Sequence, residues 1–477
     1  MAWKPHSVYC QAGFRRFGYV KMAIPRLLLV LAMVATLVFE PSYAQGTSIP
    51  GDGQTEEEQS ALAAETAETA ETAETSGFER PEDQRLASGT RSVGKWLADR
   101  GVNDPRPIET LLGDGLLSPS YFDWKQRLWM EKDIAFGGYV SANVQWGSED
   151  SPSHSISETL FLFTWEPVHD ADSAGRLIMG LAHDRTFGHP TTREFANFQG
   201  LVETPNDLDT DPELTFTTLG LLHWEHEQWT GKDKGWGIRA GQIYAPSYFG
   251  SARYLDDDRR FFMARPLATP AGAQWVGYND IGLGINGIFW KGAWYASAAV
   301  IDGKANRKYP DFSSLMDGEF LYIGEVGYER DFDGPNEAAV RLTVSHLDLK
   351  AGENPKLGSG QSIMVSADRR FNNRWALAAR WSKSYNRLSA DYRELYSLAF
   401  MWLSPLERVR DIAGFGLFSG DPSEAEKGRE SGFEMFYGFK LTQALGVMGD
   451  IQYWSRDDPD ETETSSWVFG LRMEFAY

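Results

Sequence analysis

The feature that most constrains this chain is the alternation in its last eleven residues. Trp467, Phe469, Leu471, Met473, Phe475 and Tyr477 occupy the odd positions, and Val468, Gly470, Arg472, Glu474 and Ala476 the even ones. A period of two is the signature of a strand, with large apolar side chains on one face. In a soluble sheet that face would pack on a core. An apolar face that begins and ends in aromatic residues, backed by Arg and Glu, also fits the wall of a membrane barrel, with lipid outside and water inside.

The upstream chain separates the two solutions. From Ile134 onward it reads as strands of nine to fourteen residues divided by turn clusters, sixteen in all, or seventeen if Gln274 to Tyr278 counts. Connections alternate in length. Lys291-Gly292, Asp333-Gly334-Pro335, Asn372-Asn373 and Thr442-Gln443-Ala444 are short, whereas 302–318, 350–360, 420–431 and 456–465 are long and acidic. An up-and-down barrel of the outer membrane has this asymmetry between its ends, and a soluble sandwich has no reason for it. The faces agree: Met435, Tyr437 and Phe439 oppose Glu434 and Lys440, Leu445, Val447, Ile451 and Tyr453 oppose Asp450 and Gln452, and Val340, Leu342 and Val344 oppose Arg341, Thr343 and Ser345. The expected fold is all-β: a transmembrane antiparallel up-and-down barrel of about sixteen strands, apolar outside and charged inside, closed so that every backbone group in hydrocarbon has a partner.

The start of the chain is organised differently. Leu27 to Phe39 is a short apolar run preceded by Lys4, Arg15, Arg16, Lys21 and Arg26 and followed by Ser42-Tyr43-Ala44, which predicts a secretory signal peptide over 1–44. Met22 alone would begin a signal of ordinary length. Removing those five basic residues with Glu40 takes the formal charge of −21 to about −25, which argues against a nucleic-acid partner. The one cysteine, Cys10, goes with the signal, leaving no disulfide, thiol nucleophile or Cys metal site. Residues 45–91 read as an acidic spacer containing four Ala-Glu-Thr triplets from Ala64 to Thr75, and 92–120 as two short amphipathic helices broken at Asp104-Pro105-Arg106-Pro107. The barrel is expected over 121–477.

Few constellations point to chemistry. Gly282-Leu283-Gly284-Ile285-Asn286-Gly287 has the letters of a dinucleotide fingerprint, but Ile281, Leu283, Ile285 and Ile288 run on as sheet with no helix opening, so small residues in a crowded wall are the expectation. His223 and His226 point to opposite faces of a strand and cannot readily share a metal; a girdle or loop position is expected for the pair. Glu203 with Asp207 and the Asp256-Asp257-Asp258 run read as solvated loop acids, and no nucleophile motif is found. No enzymatic activity and no cofactor are expected. The basic group Arg253, Arg259, Arg260 and Arg265, set among Tyr254, Asp256 and Phe261-Phe262, has two readings: an external loop with its own ion pairs, or a loop folded inward as a constriction, its charges meeting hydroxyls and its aromatic faces stacking on sugar rings.

Trp96 to Val102, Gly237 to Gln242 with Phe249-Gly250-Ser251, Phe320 to Tyr328, and the tail Glu434 to Tyr437, Leu441-Thr442, Asp450 to Tyr453 and Gly470-Leu471-Arg472 together resemble the carbohydrate-selective porins of the OprB type. The likeness runs over about 92–477 and is patchy in the middle. Where that family's tail carries Asn-Pro after Gln-Tyr, this chain has Trp454-Ser455-Arg456. The resemblance implies a bacterial outer-membrane porin passing sugars by diffusion into the periplasm, with Tyr477 as an assembly signal. Expected lumen residues are Arg239, Arg341, Asp368, Arg380, Glu434, Asp450 and Arg472, with Arg253, Arg259 and Arg260 at the eyelet. Expected partners are small sugars and outer-membrane lipid; a homo-oligomer is allowed. A channel for other solutes, and a barrel with an enzymatic or adhesive role, stay open as alternatives.

Overall fold

The computed structural model describes residues 117–477 apart from 149–151, 171, 209–213, 232, 257–259, 270–280, 305–307, 331–335, 349–358, 386–390, 409–410, 425 and 458–462. The expected signal peptide, spacer, most of the 92–120 segment, the Gln274 to Tyr278 strand and Arg259 lie outside the described residues.

A helix, α1 (Pro119–Lys132), opens the described chain and ends at Asp133, whose backbone turns left-handed. Sixteen strands follow: β1 (Ile134–Gly147), β2 (His154–His169), β3 (Ser173–Thr186), β4 (Thr215–Gly231), β5 (Lys234–Tyr244), β6 (Ile281–Lys291), β7 (Trp294–Asp302), β8 (Phe320–Arg330), β9 (Ala338–Leu347), β10 (Gly360–Phe371), β11 (Trp375–Tyr385), β12 (Tyr392–Leu403), β13 (Ile412–Pro422), β14 (Glu430–Lys440), β15 (Leu445–Asp457) and β16 (Glu463–Ala476). Each pairs antiparallel with its sequence neighbours, and β1 pairs with β16 from Tyr139 opposite Ala476 to Gly147 opposite Val468, closing the barrel. Tyr477 completes the seam by exchanging two backbone hydrogen bonds with Gly138, at 3.0 and 3.1 Å. Closure leaves no sheet edge, which is the condition for a sheet to stand in hydrocarbon.

Since successive strands reverse direction, connections alternate between ends. β2, β4, β6, β8, β10, β12 and β14 each end, like β16, at the end that holds the carboxyl terminus, where two to eight residues separate each from the next strand. At the other end 28, 36, 17 and 12 residues separate β3 from β4, β5 from β6, β7 from β8 and β9 from β10. Only seven and five separate β13 from β14 and β15 from β16, because those strands run on into the segments expected as long loops over 420–431 and 456–465. At the β10–β11 turn Asn372 and Asn373 both take positive φ, 51° and 55°, a conformation that asparagine tolerates better than most residues. The Gly282 to Gly287 stretch lies within β6, as expected of wall residues.

The pleat sorts the side chains as the alternation predicts. Val140, Ile285, Val326, Leu342, Val344 and Leu471 are exposed on the outer face, while Arg341, Glu434, Asp450, Arg472 and Glu474 are buried on the inner one. Aromatic residues gather at both margins of the outer face: Trp165, Trp236, Trp294 and Trp375 near the short turns, and Trp146, Tyr322, Tyr385 and Trp467 near the long connections. Trp375 stacks on Trp402 with centroids 5.2 Å apart. Among the described residues no helix is long and apolar enough to cross a membrane.

One expectation about the inside needs correcting. The inner wall is not uniformly charged, because Ala376, Ala378, Leu395, Ala399, Met401, Phe418, Phe436 and Met448 face inward from β11 to β15 and join one buried apolar cluster. Tyr392, Ile412, Trp454 and Val468 add to it from β12, β13, β15 and β16, and the remaining members come from loops that fold into the barrel.

Candidate functional site

Two of the long connections turn inward. In the first, 187–214, Thr191 and Glu194 form a reciprocal capping box that starts a short helix, α2 (Thr192–Phe198). Its Phe195 and Ala196, with Leu201 and Val202, enter the apolar cluster. In the second, 245–280, the chain passes a turn at Ala245–Ser247 and reaches the helical turn α3 (Arg265–Ala268). Along that path Ala252, Leu255, Phe262, Ala264 and Leu267 have no exposure. Phe262 meets Phe436 edge-on at 5.0 Å. Gly416 makes room on β13: a Cβ there would stand 2.6 Å from Leu267 and 2.7 Å from Phe262. Each large apolar side chain buried in this way contributes about 1.5–3 kcal/mol, so the loops have strong reason to stay inside.

A loop inside a barrel must find partners for backbone groups that no ladder serves. The inward charged and polar side chains supply them. Glu434 accepts the Met263 and Ala264 N–H groups, both at 2.8 Å. Glu325 accepts from Gly250 at 2.7 Å, and Glu430 from Val202 at 2.7 Å and Glu203 at 3.3 Å. In the other direction Arg472 donates to the Phe261 carbonyl at 3.1 Å, Arg380 to that of Thr269 at 2.5 Å, and Ser397 to that of Pro266 at 2.6 Å. Gln145 and Gln452, from opposite sides of the β16 seam, both donate to the Pro205 carbonyl, at 2.8 and 2.9 Å.

The expected lumen residues therefore point inward but act as anchors and ion pairs. Arg253 grips both oxygens of Glu337, at 2.7 and 2.8 Å, and its backbone N–H reaches Asp368 at 3.4 Å. Arg341 pairs with the same Asp368 at 2.5 Å and with Glu329 at 2.8 Å. Arg380 also pairs with Asp256, while Asp450 accepts from Gln452 at 2.9 Å. Arg260 lies 5.7 Å from the Phe261 ring centroid. Arg239 stands apart on β5, where it donates to Glu225 and Asn286, both at 2.6 Å, and lies 4.2 Å over the Tyr248 ring.

Three further expectations are corrected. The faces of Tyr254, Phe261 and Phe262 are spent on packing inside the barrel, so they offer no stacking platform. Glu203 is wholly buried and paired with Arg193 at 3.3 Å and Arg265 at 3.5 Å, where a solvated acid was expected. His223 faces the interior rather than a girdle, with the Tyr248 hydroxyl 2.8 Å from its Nε2, while His226 packs outside against Trp236. Among the described residues no group of three or more His, Cys, Asp or Glu could hold a metal ion.

Four of the inward residues that remain partly open gather around the two loops. Arg193, Arg265, Asp207 and Asp391 keep about a quarter to a third of their side-chain surface, and Arg265 reaches Asp207 at 3.5 Å. No periodic cue in the sequence marks this group, because its members come from three connections. Glu325 and Glu430, by contrast, sit on strands whose alternation marks them as inward.

No protein-family model and no curated protein match this sequence. A solved structure does. The high-pH structure of Pseudomonas putida OprB superposes with a TM-score of 0.59 at 11% identity, covering 75% of this chain and 97% of that one. The chain has the OprB fold. The low-pH structure of P. putida OprB, at 11% identity, gives 0.47 over 78% of this chain and 100% of that one. A mutant of Rh. blastica porin, at 10% identity, gives 0.45 over 72% and 100%. At such identity the likeness to OprB speaks for architecture and leaves the solute to be argued from the residues.

Proposed function

We propose that this chain is an outer-membrane porin through which small sugars diffuse passively into the periplasm. The observation that carries the reading is the pair of loops fastened by Glu434, Glu325, Glu430, Arg380 and Arg472 inside a closed barrel with an apolar exterior. An exposed apolar band flanked by aromatic margins suits lipid and would be a liability in water. Loops packed within a barrel narrow its lumen, and a narrowed lumen selects by size and by the groups left open along it. Here those groups are guanidinium and carboxylate side chains. They can exchange hydrogen bonds with hydroxyls one at a time, weakly enough for release. The likeness to OprB supports the same reading.

A second reading, a channel without preference for sugars, is favoured by the burial of Tyr254, Phe261 and Phe262, which removes the stacking surface a sugar ring would use. Swelling of liposomes that contain the purified chain separates the two. Faster entry of neutral sugars than of zwitterions of equal size is the expected result. Equal rates would favour the unselective channel, and no swelling with any solute would end both readings.

A further inference from the structure

Glu203 and Asp391 belong to different connections yet converge on one guanidinium, that of Arg193. The Glu203 side chain has no exposure. Its Oε1 accepts the Thr204 N–H at 2.9 Å and lies 3.3 Å from Arg193 Nη2 and 3.5 Å from Arg265 Nη1. Its Oε2 is buried and receives no N–H or hydroxyl, and the Asp391 carboxyl approaches the same Arg193 guanidinium. Asp391 Oδ2 lies 3.6 Å from the same Arg193 Nη2. Two carboxyl groups can hydrogen-bond only with a proton between them, because two carboxylates offer acceptors alone and repel.

We infer that Glu203 and Asp391 share one proton and that this proton sets the charge selectivity of the passage between the loops. The inference rests on the channel reading for its consequence, although the pair itself stands on the geometry. The described charged groups around it are Arg193, Arg265, Asp207 and Glu430. Arg193 comes from α2 and Arg265 from α3, and Asp207 faces Arg265 at 3.5 Å. From the wall, Glu430 holds the Val202 and Glu203 N–H groups and accepts the Tyr392 hydroxyl. With the proton in place, the two guanidiniums stand against Asp207, Glu430 and one charge on the pair. Its loss adds one negative charge beside the two loops, where it favours cations over anions. Burial, the Glu203 charge and the hydrogen bond to Glu203 push Asp391 up to about 8. Burial also acts to raise Glu203, but Arg265, the hydrogen bond with Asp391 and Arg193 together hold it below its ordinary range. The proton therefore resides on Asp391.

The test is the reversal potential of the full chain in planar bilayers under a KCl gradient, from about pH 6 to about pH 9.5. The permeability ratio of cation to anion should rise roughly two- to fivefold near the titration of Asp391. Asp391→Asn should remain at the low-pH ratio throughout. Glu203→Gln, which removes the charge that raises Asp391, should move the step to lower pH, and Asp207→Asn should keep it in place. A flat wild-type profile, or a step that persists in Asp391→Asn, overturns the inference. If the wild type carries no current at any pH, the channel reading fails, and infrared spectroscopy of the same protein decides the pair. A protonated-carboxyl stretch that fades near pH 8 in the wild type and is missing from Asp391→Asn supports the shared proton. Its absence from the wild type overturns it.

Discussion

The Glu434 carboxylate, turned inward by the pleat of β14, accepts the backbone N–H of Ala264 at 2.8 Å, and so joins the wall of the barrel to the loop inside it. The same carboxylate takes the neighbouring N–H of Met263. Glu434→Ala leaves both donors buried without a partner, at about 1–3 kcal/mol each. The expected result is a urea midpoint lowered by the corresponding amount in lipid vesicles, together with a larger single-channel conductance as the loop loosens. Glu434→Gln keeps one acceptor and should fall between the two. If conductance is unchanged in Glu434→Ala, the loop does not narrow the passage.

Gly416 offers a test of the apolar side of the same contact. A Cβ there would lie 2.6–2.7 Å from Leu267 and Phe262, closer than side-chain carbons normally pack. Gly416→Val must push α3 and Phe262 away from β13, at a cost of about 1–3 kcal/mol for overpacking. Limited trypsin digestion should then cut after Arg253 or Arg260 faster than in the wild type. Equal cleavage would mean that the loop adjusts without leaving the wall.

How far these contacts can be read in advance depends on what fixes them. The faces of Leu471 and Arg472 follow from residue order alone, because the pleat ties odd and even positions to opposite sides, and closure then decides which side is outer. The strand count was legible for the same local reason, whereas the loops expected over 420–431 and 456–465 are short because β13 to β16 extend into them. Phe262 is different: its burial depends on Gly416 and Phe436, which only the closed barrel brings near it. Alternation shows that Glu434 points inward but not that a backbone N–H will meet it. Glu203 sits on a segment with no period at all, so its pairing with Arg193, Arg265 and Asp391 has no signature in the sequence. The inward turn of the Arg253 to Arg265 segment was one of two readings, and its aromatic residues, taken for ligand surface, turned out to be the core that holds it there.

The outer face supplies a test of the membrane reading. Leu471 is exposed midway along the face that β16 turns outward. Leu471→Arg should destabilise the barrel by about 2–4 kcal/mol in phospholipid vesicles if that face meets the bilayer midplane. Reversible urea unfolding measures the loss. Phe475→Arg, nearer the aromatic margin, should cost about 0–1 kcal/mol by the same rule of depth. Equal and small effects at both positions would contradict a lipid-facing surface.

The Glu203–Asp391 pair also predicts how stability depends on pH. Asp391 is raised to about 8 in the folded protein, above its value in an unfolded chain, so between the two the folded state binds more protons than the unfolded state. Its contribution is then complete at acid pH and is lost as pH rises through about 8. Glu203 is lowered, and its contribution has the opposite sense: present above the ordinary glutamate range and lost as pH falls below it. The pair as a whole should therefore favour the folded state most between these limits. The wild-type urea midpoint should drop from about pH 6 to about pH 9, and Asp391→Asn, which cannot ionise, should show a smaller drop over the same interval. Hydrogen exchange should localise the loss to residues 199–208, which Glu203 anchors. A drop of equal size in Asp391→Asn would assign the alkaline weakening to other groups.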